Sequence, residues 1–230
     1  MTHRLRGFSL VEMAVVLAIV GLLLGGLIMT LSAQQSVQRT QETRRLLVQA
    51  REALLGFAAI HGRLPCPAEP TLASGAAGAG SERPATAAGC SGGQSGVLPW
   101  ATLGLPETDA WGRRFGYRVS ADFARSVTPP AKAAFALDTV GDNTVRVASG
   151  GAPLATAVPA VIVSHGANGA GAYNASGTAL PASADADEIE NHDGDSDFVD
   201  KTPTESYDDL VEWLATPTLM NRMLQAGRLP

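Results

Sequence analysis

Three observations in the sequence predict an α+β chain, with a long N-terminal helix packed on a small antiparallel β-sheet domain. No charged side chain occurs from Met13 to Gln38, and residues 13–31 are predominantly apolar. Beyond that stretch, Leu47, Ala50, Leu54, Phe57 and Ile60 recur at spacings of three and four, which draws one apolar stripe along a helix. Short runs rich in β-branched and aromatic residues follow, bounded by Gly and Pro. They predict strands at Phe115–Val119, Thr144–Ala148 and Val158–Ser164, with a weaker one at Ala133–Leu137. A helix face buried on a small sheet is an α+β arrangement.

The bulk numbers narrow the functional classes. The chain has 230 residues, 45% of them hydrophobic and 17% charged, with a formal net charge of -5. A chain that acidic has no bulk attraction for nucleic acid or anionic lipid, so a DNA contact needs a local basic patch. Only Arg113, Arg114 and Arg118 cluster, while residues 185–212 run twelve acidic to one basic. Cys66 and Cys90 are the only cysteines; they are compatible with one disulfide in an oxidising compartment, or with two buried thiols. No Cys-x-x-Cys pair and no His/Cys cluster of zinc-like spacing is present.

The N-terminus carries the most specific signal. Arg4 and Arg6 precede the apolar stretch, and a short basic leader favours a cytoplasmic N-terminus with the remainder sent across. At 1.5 Å per residue, residues 13–31 extend ~28 Å, which with their flanks covers a bilayer core of ~30 Å. A secretory signal peptide fits less well. The apolar run exceeds the usual ~7–15 residues, and Thr30, Ser32 and Ala33 make a weak cleavage site. Glu12 stands at the edge of the apolar run, where a lone carboxylate costs about 2–3 kcal/mol in a membrane helix.

The run Gly7-Phe8-Ser9-Leu10-Val11-Glu12 resembles the prepilin processing motif of type IV pilins and type II secretion pseudopilins. The resemblance implies cleavage between Gly7 and Phe8 by a prepilin peptidase and N-methylation of Phe8. It also implies an assembly role for Glu12, paired with the α-amine of Phe8 in a neighbouring subunit. Such a pair in a low-dielectric filament core offsets part of the desolvation of both groups. Removing the leader takes away two arginines and leaves 15 basic against 22 acidic residues, or -7. The implied organisation is a leader at 1–7, a long helix at 8–62 with 13–31 transmembrane, and a pilin-like globular domain at 63–230.

The helix has no proline between residues 8 and 64, with Gly62 a candidate C-cap and Pro65 a stop. Major type IV pilins commonly carry a helix-breaking proline in the exposed half; here only Gly25 and Gly26 interrupt. That departure leans towards a pseudopilin or minor pilin.

In the domain, residues 66–96 read as a loop rich in Ala, Gly, Ser and Pro between the two cysteines. Asp109-Ala110-Trp111-Gly112 followed by Tyr117 is similar to the Asp-Pro-Trp-Gly…Tyr segment of major pseudopilins, with Ala110 in place of the proline. Trp111 and Tyr117 offer apolar surface to seal sheet against helix. Ser164 and His165 are neighbours at a strand end, so their side chains diverge and form no nucleophile–base pair. The glycines from Gly166 to Gly171 read as a turn, and no enzyme constellation is visible.

Residues 185–200 hold eight acidic residues in sixteen. Asp193, Asp195, Asp197 and Asp200 suit calcium's oxygen preference, although the glycine is misplaced for an EF-hand and Thr204 stands at the twelfth position. Major pseudopilins bind calcium in a loop late in the domain, so the resemblance implies calcium as a possible cofactor. A solvated acidic loop is the alternative. The tail predicts a helix capped by Ser206, with Leu210, Trp213 and Leu214 on one face, and a second one from Pro217 stopped by Gly227.

These readings lead to a non-enzymatic structural subunit of a type IV pilus or type II secretion pseudopilus. Its partners are prepilin peptidase, other pilin or pseudopilin subunits and the bacterial inner membrane. The single-pass anchor leaves the C-terminal domain periplasmic until assembly. The alternative is a pilus-anchored module that binds DNA or a surface.

Overall fold

A computed structural model of the chain describes residues 9–229, with the side chains of residues 23–33 outside that description. The chain divides into two compact units, Met1–Thr40 and Gln41–Pro230. The boundary falls within the first helix, α1 (Leu10–His61), which is 52 residues long. Gly62, at φ +74°, follows its end, where its amide bonds the Ala58 carbonyl at 2.8 Å. The carbonyl of Lys132 would lie 2.2 Å from a Cβ there, so both the left-handed backbone and the close approach require glycine.

In the first unit, α1 presents Leu10, Val11, Leu17 and Leu22 to the surface, at 66–88% exposure. Among the described residues no helix is long and apolar enough to cross a membrane. The span expected at 13–31 lies in part on residues 23–33, outside the described side chains.

In the second unit, the continuation of α1 buries Leu47, Ala50, Leu54, Leu55, Phe57 and Ala58. Ile60, expected on the stripe, is 66% exposed. Leu55 and Ala58 carry the buried face on instead, because two successive steps of three from Leu54 fall short of two 3.6-residue turns. Arg51 also turns inward, donating to Glu212 at 2.6 Å.

The remaining elements follow in chain order. A short hairpin β1 (Ala85–Thr86) and β2 (Gly89–Cys90) leads to β3 (Ser95–Val97) and the single-turn α2 (Trp100–Leu103). Then come β4 (Gly116–Val119), α3 (Ala121–Ala124), β5 (Asn143–Arg146), β6 (Pro153–Val158) and β7 (Ala160–Ser164). The chain ends with α4 (Ala186–Glu190), β8 (Asp197–Val199), β9 (Leu210–Leu214) and α5 (Thr216–Gln225). The main sheet is antiparallel, in the order β3-β4-β7-β9; an outer sheet has the order β6-β5-β8, its β5–β8 pair being parallel.

Register makes the layers. Ala160 and Ile162 of β7 lie opposite Val119 and Tyr117 of β4, and Ala160 also faces Leu214 of β9; these side chains pack with α1. Val161 and Val163, one residue out of phase, lie opposite Trp213 and Val211 and pack with Val145, Val158 and Phe198 of the outer sheet. Period-2 alternation thus places the main sheet between α1 and the outer sheet, with core on both faces.

Three expectations are corrected. Residues 210–214 form an edge strand, not a helix. Leu210 and Leu214 satisfy a period of two as well as 3.6, and the ladder with β7 decides between them. Ala133–Leu137 is no strand: Ala134 N–H donates to the Gly62 carbonyl at 2.8 Å and the Phe135 ring packs at a tilt on Phe123, 4.7 Å between centroids, so the segment serves the helix end. Residues 66–96 are more ordered than a loop, holding β1, β2 and the start of β3. Arg63 grips Glu82 through two 2.8 Å bonds, and Arg83 donates to the carbonyls of Pro67, Gly92, Gly93 and Ser95.

Cys66 and Cys90 are joined by a disulfide across a separation of 24 residues. It fastens this segment beneath the end of α1. Closing a loop of that length contributes about 3 kcal/mol in the chain-entropy account. The double substitution Cys66→Ala/Cys90→Ala should lower the urea-unfolding free energy by about that amount, and an unchanged midpoint would show that the segment is held without it.

Candidate functional site

The processing residues Gly7 and Phe8 lie outside the described residues. Glu12 lies just inside. It is exposed, and its Oε2 accepts the Ser9 N–H at 2.8 Å while Ser9 Oγ accepts the Glu12 N–H at 3.2 Å. This reciprocal pair is a capping box, which satisfies two backbone donors at the start of α1. Glu12 therefore ends its own helix as well as standing in the position that the resemblance gives to assembly. The Ser-x-x-Glu spacing at 9–12 was the sequence signal for it.

The three arginines that could have made a basic patch are all committed inside the domain. Arg114 is 1% exposed, donates to Glu107 at 2.7 and 3.0 Å and to the carbonyls of Pro70 and Ala175, and lies over the Trp100 ring at 4.7 Å. Arg113 donates to the Gly166 carbonyl at 2.8 Å, and Arg118 to Asp142 at 2.9 Å.

Asp109 of the Asp-Ala-Trp-Gly segment is buried and fully used. Its Oδ1 accepts the amides of Trp111 and Arg113, and its Oδ2 accepts the Ser164 hydroxyl at 2.7 Å. The hydroxyl of Ser164 is thus spent on a structural carboxylate and is not aimed at His165. Tyr117, sealed between sheet and helix, donates to the Pro65 carbonyl at 3.1 Å, and burial pushes its phenol well above the ordinary range.

The aspartates picked out for calcium are not gathered into one ligand set. Asp193 Oδ1 accepts the Asp195 amide and Asp195 Oδ1 the Asp197 amide, so both shape their own loop. Asp197 pairs with Arg146 at 3.3 Å. Asp200 lies apart, beside a pocket that Arg44 and Glu212 also line, and burial raises its carboxyl.

A different acidic group comes together: Glu188 of α4 with Asp208 and Asp209, which lead into β9. Among the described residues it is the one group of three or more potential ligands whose facing atoms all lie within 4.8 Å of one another. Glu188 and Asp209 are each 1% exposed. Asp208 Oδ2 accepts the amides of Ala167 and Asn168 at 2.9 Å, docking the glycine-rich turn onto the group. Burial, and then the nearby charges of Glu188 and Asp209, push the Asp208 carboxyl up. The helix expected after Ser206 would include Asp208 and Asp209, and the acidic run at 185–200 gives Glu188 no role of its own. Twenty residues separate Glu188 from Asp208, so no spacing pattern could have joined them.

Comparison with known proteins bears on the N-terminus. Residues 3–28 match the family described as the prokaryotic N-terminal methylation motif. That match is consistent with the type IV pilin and pseudopilin family and supports a pilin-type prepilin peptidase substrate. Comparison with curated proteins and with solved structures returns no match for this chain.

Replacing Ser9 by Ala removes one half of the capping box, which typically costs ~1 kcal/mol of helix stability. Hydrogen exchange of the full chain in detergent micelles should then be faster across the first turn of α1. Unchanged exchange there would show that the cap does not hold the helix start.

Proposed function

We propose that this chain is a structural subunit of a type IV pilus or type II secretion pseudopilus, of the minor pilin or pseudopilin kind. Prepilin peptidase cuts it between Gly7 and Phe8 and methylates Phe8. The apolar start of α1 then anchors the chain in the inner membrane, with the globular unit on the periplasmic side, until it joins other subunits.

The observation that carries this reading is the methylation motif at residues 3–28. The exposed apolar surface of Leu10, Val11, Leu17 and Leu22 supports it, since such a helix face gains from lipid or from other apolar helices. Once Phe8 is the N-terminus, Glu12 is the fifth residue of the mature chain. A carboxylate in apolar surroundings is costly unless paired, so a neighbouring subunit's amine is a suitable partner and fixes the axial register. A DNA-binding module is disfavoured because Arg113, Arg114 and Arg118 are each held by acceptors within the domain.

Intact-mass measurement of the protein from cells with and without prepilin peptidase tests the reading. The expected mature chain begins at methylated Phe8 only when the peptidase is present, and a bulky substitution at Gly7 leaves the leader on. A chain that keeps residues 1–7 in both strains, or one cut near Ala33, would overturn it.

A further inference from the structure

On the outer face of the main sheet, the apolar cover that Phe198 gives to Val161 and Val163 opens, over β4 and β3, into a cavity of about 220 Å³. Val97, Gly116, Val163, His165, His192 and Phe198 line it. Gly116 belongs to the sheet at this point: it pairs with Val97 on one side and Val163 on the other. Alternation along β4 turns it away from Tyr117, which packs with α1. Its backbone is not left-handed, and a Cβ there would stand 3.5 Å from His165 Nε2 and 3.6 Å from Val163 Cβ, both ordinary contact distances. Neither backbone nor packing therefore asks for glycine. Glycine within a strand weakens it, and often marks a place where a ligand approaches closely.

His165 stands just past the end of β7 and is 4% exposed. Its Nε2 faces the open position over Gly116, while its Nδ1 is buried without a hydrogen-bond partner, 3.7 Å from Asp209 Oδ1. That carboxylate favours the tautomer with the proton on Nδ1, which leaves a lone pair on Nε2. His192 has the same tautomer for a firmer reason: its Nδ1 lies 2.8 Å from the Glu188 carbonyl, which only accepts. The two rings meet edge to face with centroids 6.2 Å apart. The cavity thus combines two imidazole acceptors with apolar walls, and polar atoms in such surroundings are seldom left without a partner.

We propose that this cavity binds a small, uncharged six-membered ring bearing two or more hydroxyls, of the size of a pyranose or a dihydroxybenzene. An apolar cavity of ~150 Å³ holds benzene, so about 220 Å³ admits one such ring with its substituents. The hydroxyls donate to the imidazole nitrogens, and the ring packs on Val97, Val163 and Phe198. Ions of either sign fit less well. An anion would meet the imidazole lone pairs with Asp209 behind one of them, and a cation the guanidinium groups of Arg114 and Arg118 in the wall. A transition metal lacks ligands, because among the described residues no third His, Cys, Asp or Glu joins the two histidines at ligand spacing.

The test uses the full chain, labelled with ¹⁵N at histidine, in dodecylphosphocholine micelles, whose headgroup carries no sugar. Methyl glucoside and resorcinol, titrated separately, should move the ring resonances of His165 and His192 saturably, with a Kd of about 1 mM or tighter for at least one of them. A response to the glucoside alone assigns a saturated, sugar-type ring; a response to resorcinol alone assigns an aromatic one. Gly116→Val places a side chain in the cavity and should weaken binding at least ~tenfold. It should not lower the urea midpoint, because valine suits a strand. If that variant does not fold, Gly116→Ala takes its place, since its methyl fits at contact distance. Silence of both histidines with both probes overturns the proposal. So does benzene binding as tightly as the hydroxylated rings, or an unchanged affinity in the glycine variant. Processing at Gly7 plays no part in these readouts, so their failure leaves the assembly reading untouched.

Discussion

Strand β7 is apolar on both faces, and the rest of the globular unit is arranged to cover it. Ala160 and Ile162 need a partner on one side, Val161 and Val163 on the other, because successive residues of a strand point to opposite faces. The second half of α1 supplies the first cover and the outer sheet the second. Strands β4 and β9 flank β7, so this fully buried strand is paired along both edges. With the middle layer placed, the edges are free to carry polar groups, and the carboxylate cluster sits where β9 begins.

Burial also governs the charged groups. Arg114 survives inside the domain because Glu107, two backbone carbonyls and the Trp100 ring together replace its water. Asp109 does the same with two amides and a hydroxyl. Set beside these, the group at Glu188, Asp208 and Asp209 departs from the pattern of the molecule: each carboxylate is half satisfied, with one buried oxygen that has no hydrogen-bond partner. That contrast within one domain gives the cluster its weight.

The two parts of α1 meet different demands. Its start carries exposed apolar side chains and a capping box that closes its own first turn; its continuation offers one buried face to a sheet. Propensity and the absence of proline allow a single helix through both.

Much of the architecture was legible in the order of residues alone. Periodicity marks the α1 stripe from Leu47 to Phe57, and Gly62 with Pro65 marks its end. Runs of β-branched and aromatic residues mark β4, β5 and β7, and the motif at Gly7–Glu12 lies within the match to the prokaryotic N-terminal methylation motif. All of these are local patterns, which a chain displays before it folds. The strand at 210–214 is not local in this sense: Leu210 and Leu214 suit either period, and only pairing with β7 chooses. Nor is the carboxylate cluster, since Glu188 meets Asp208 and Asp209 through the packing of α4 beside β9. The sequence concentrates acids at 185–200, but tertiary structure decides which of them face one another and which, like Asp193 and Asp195, turn back to cap their own loop.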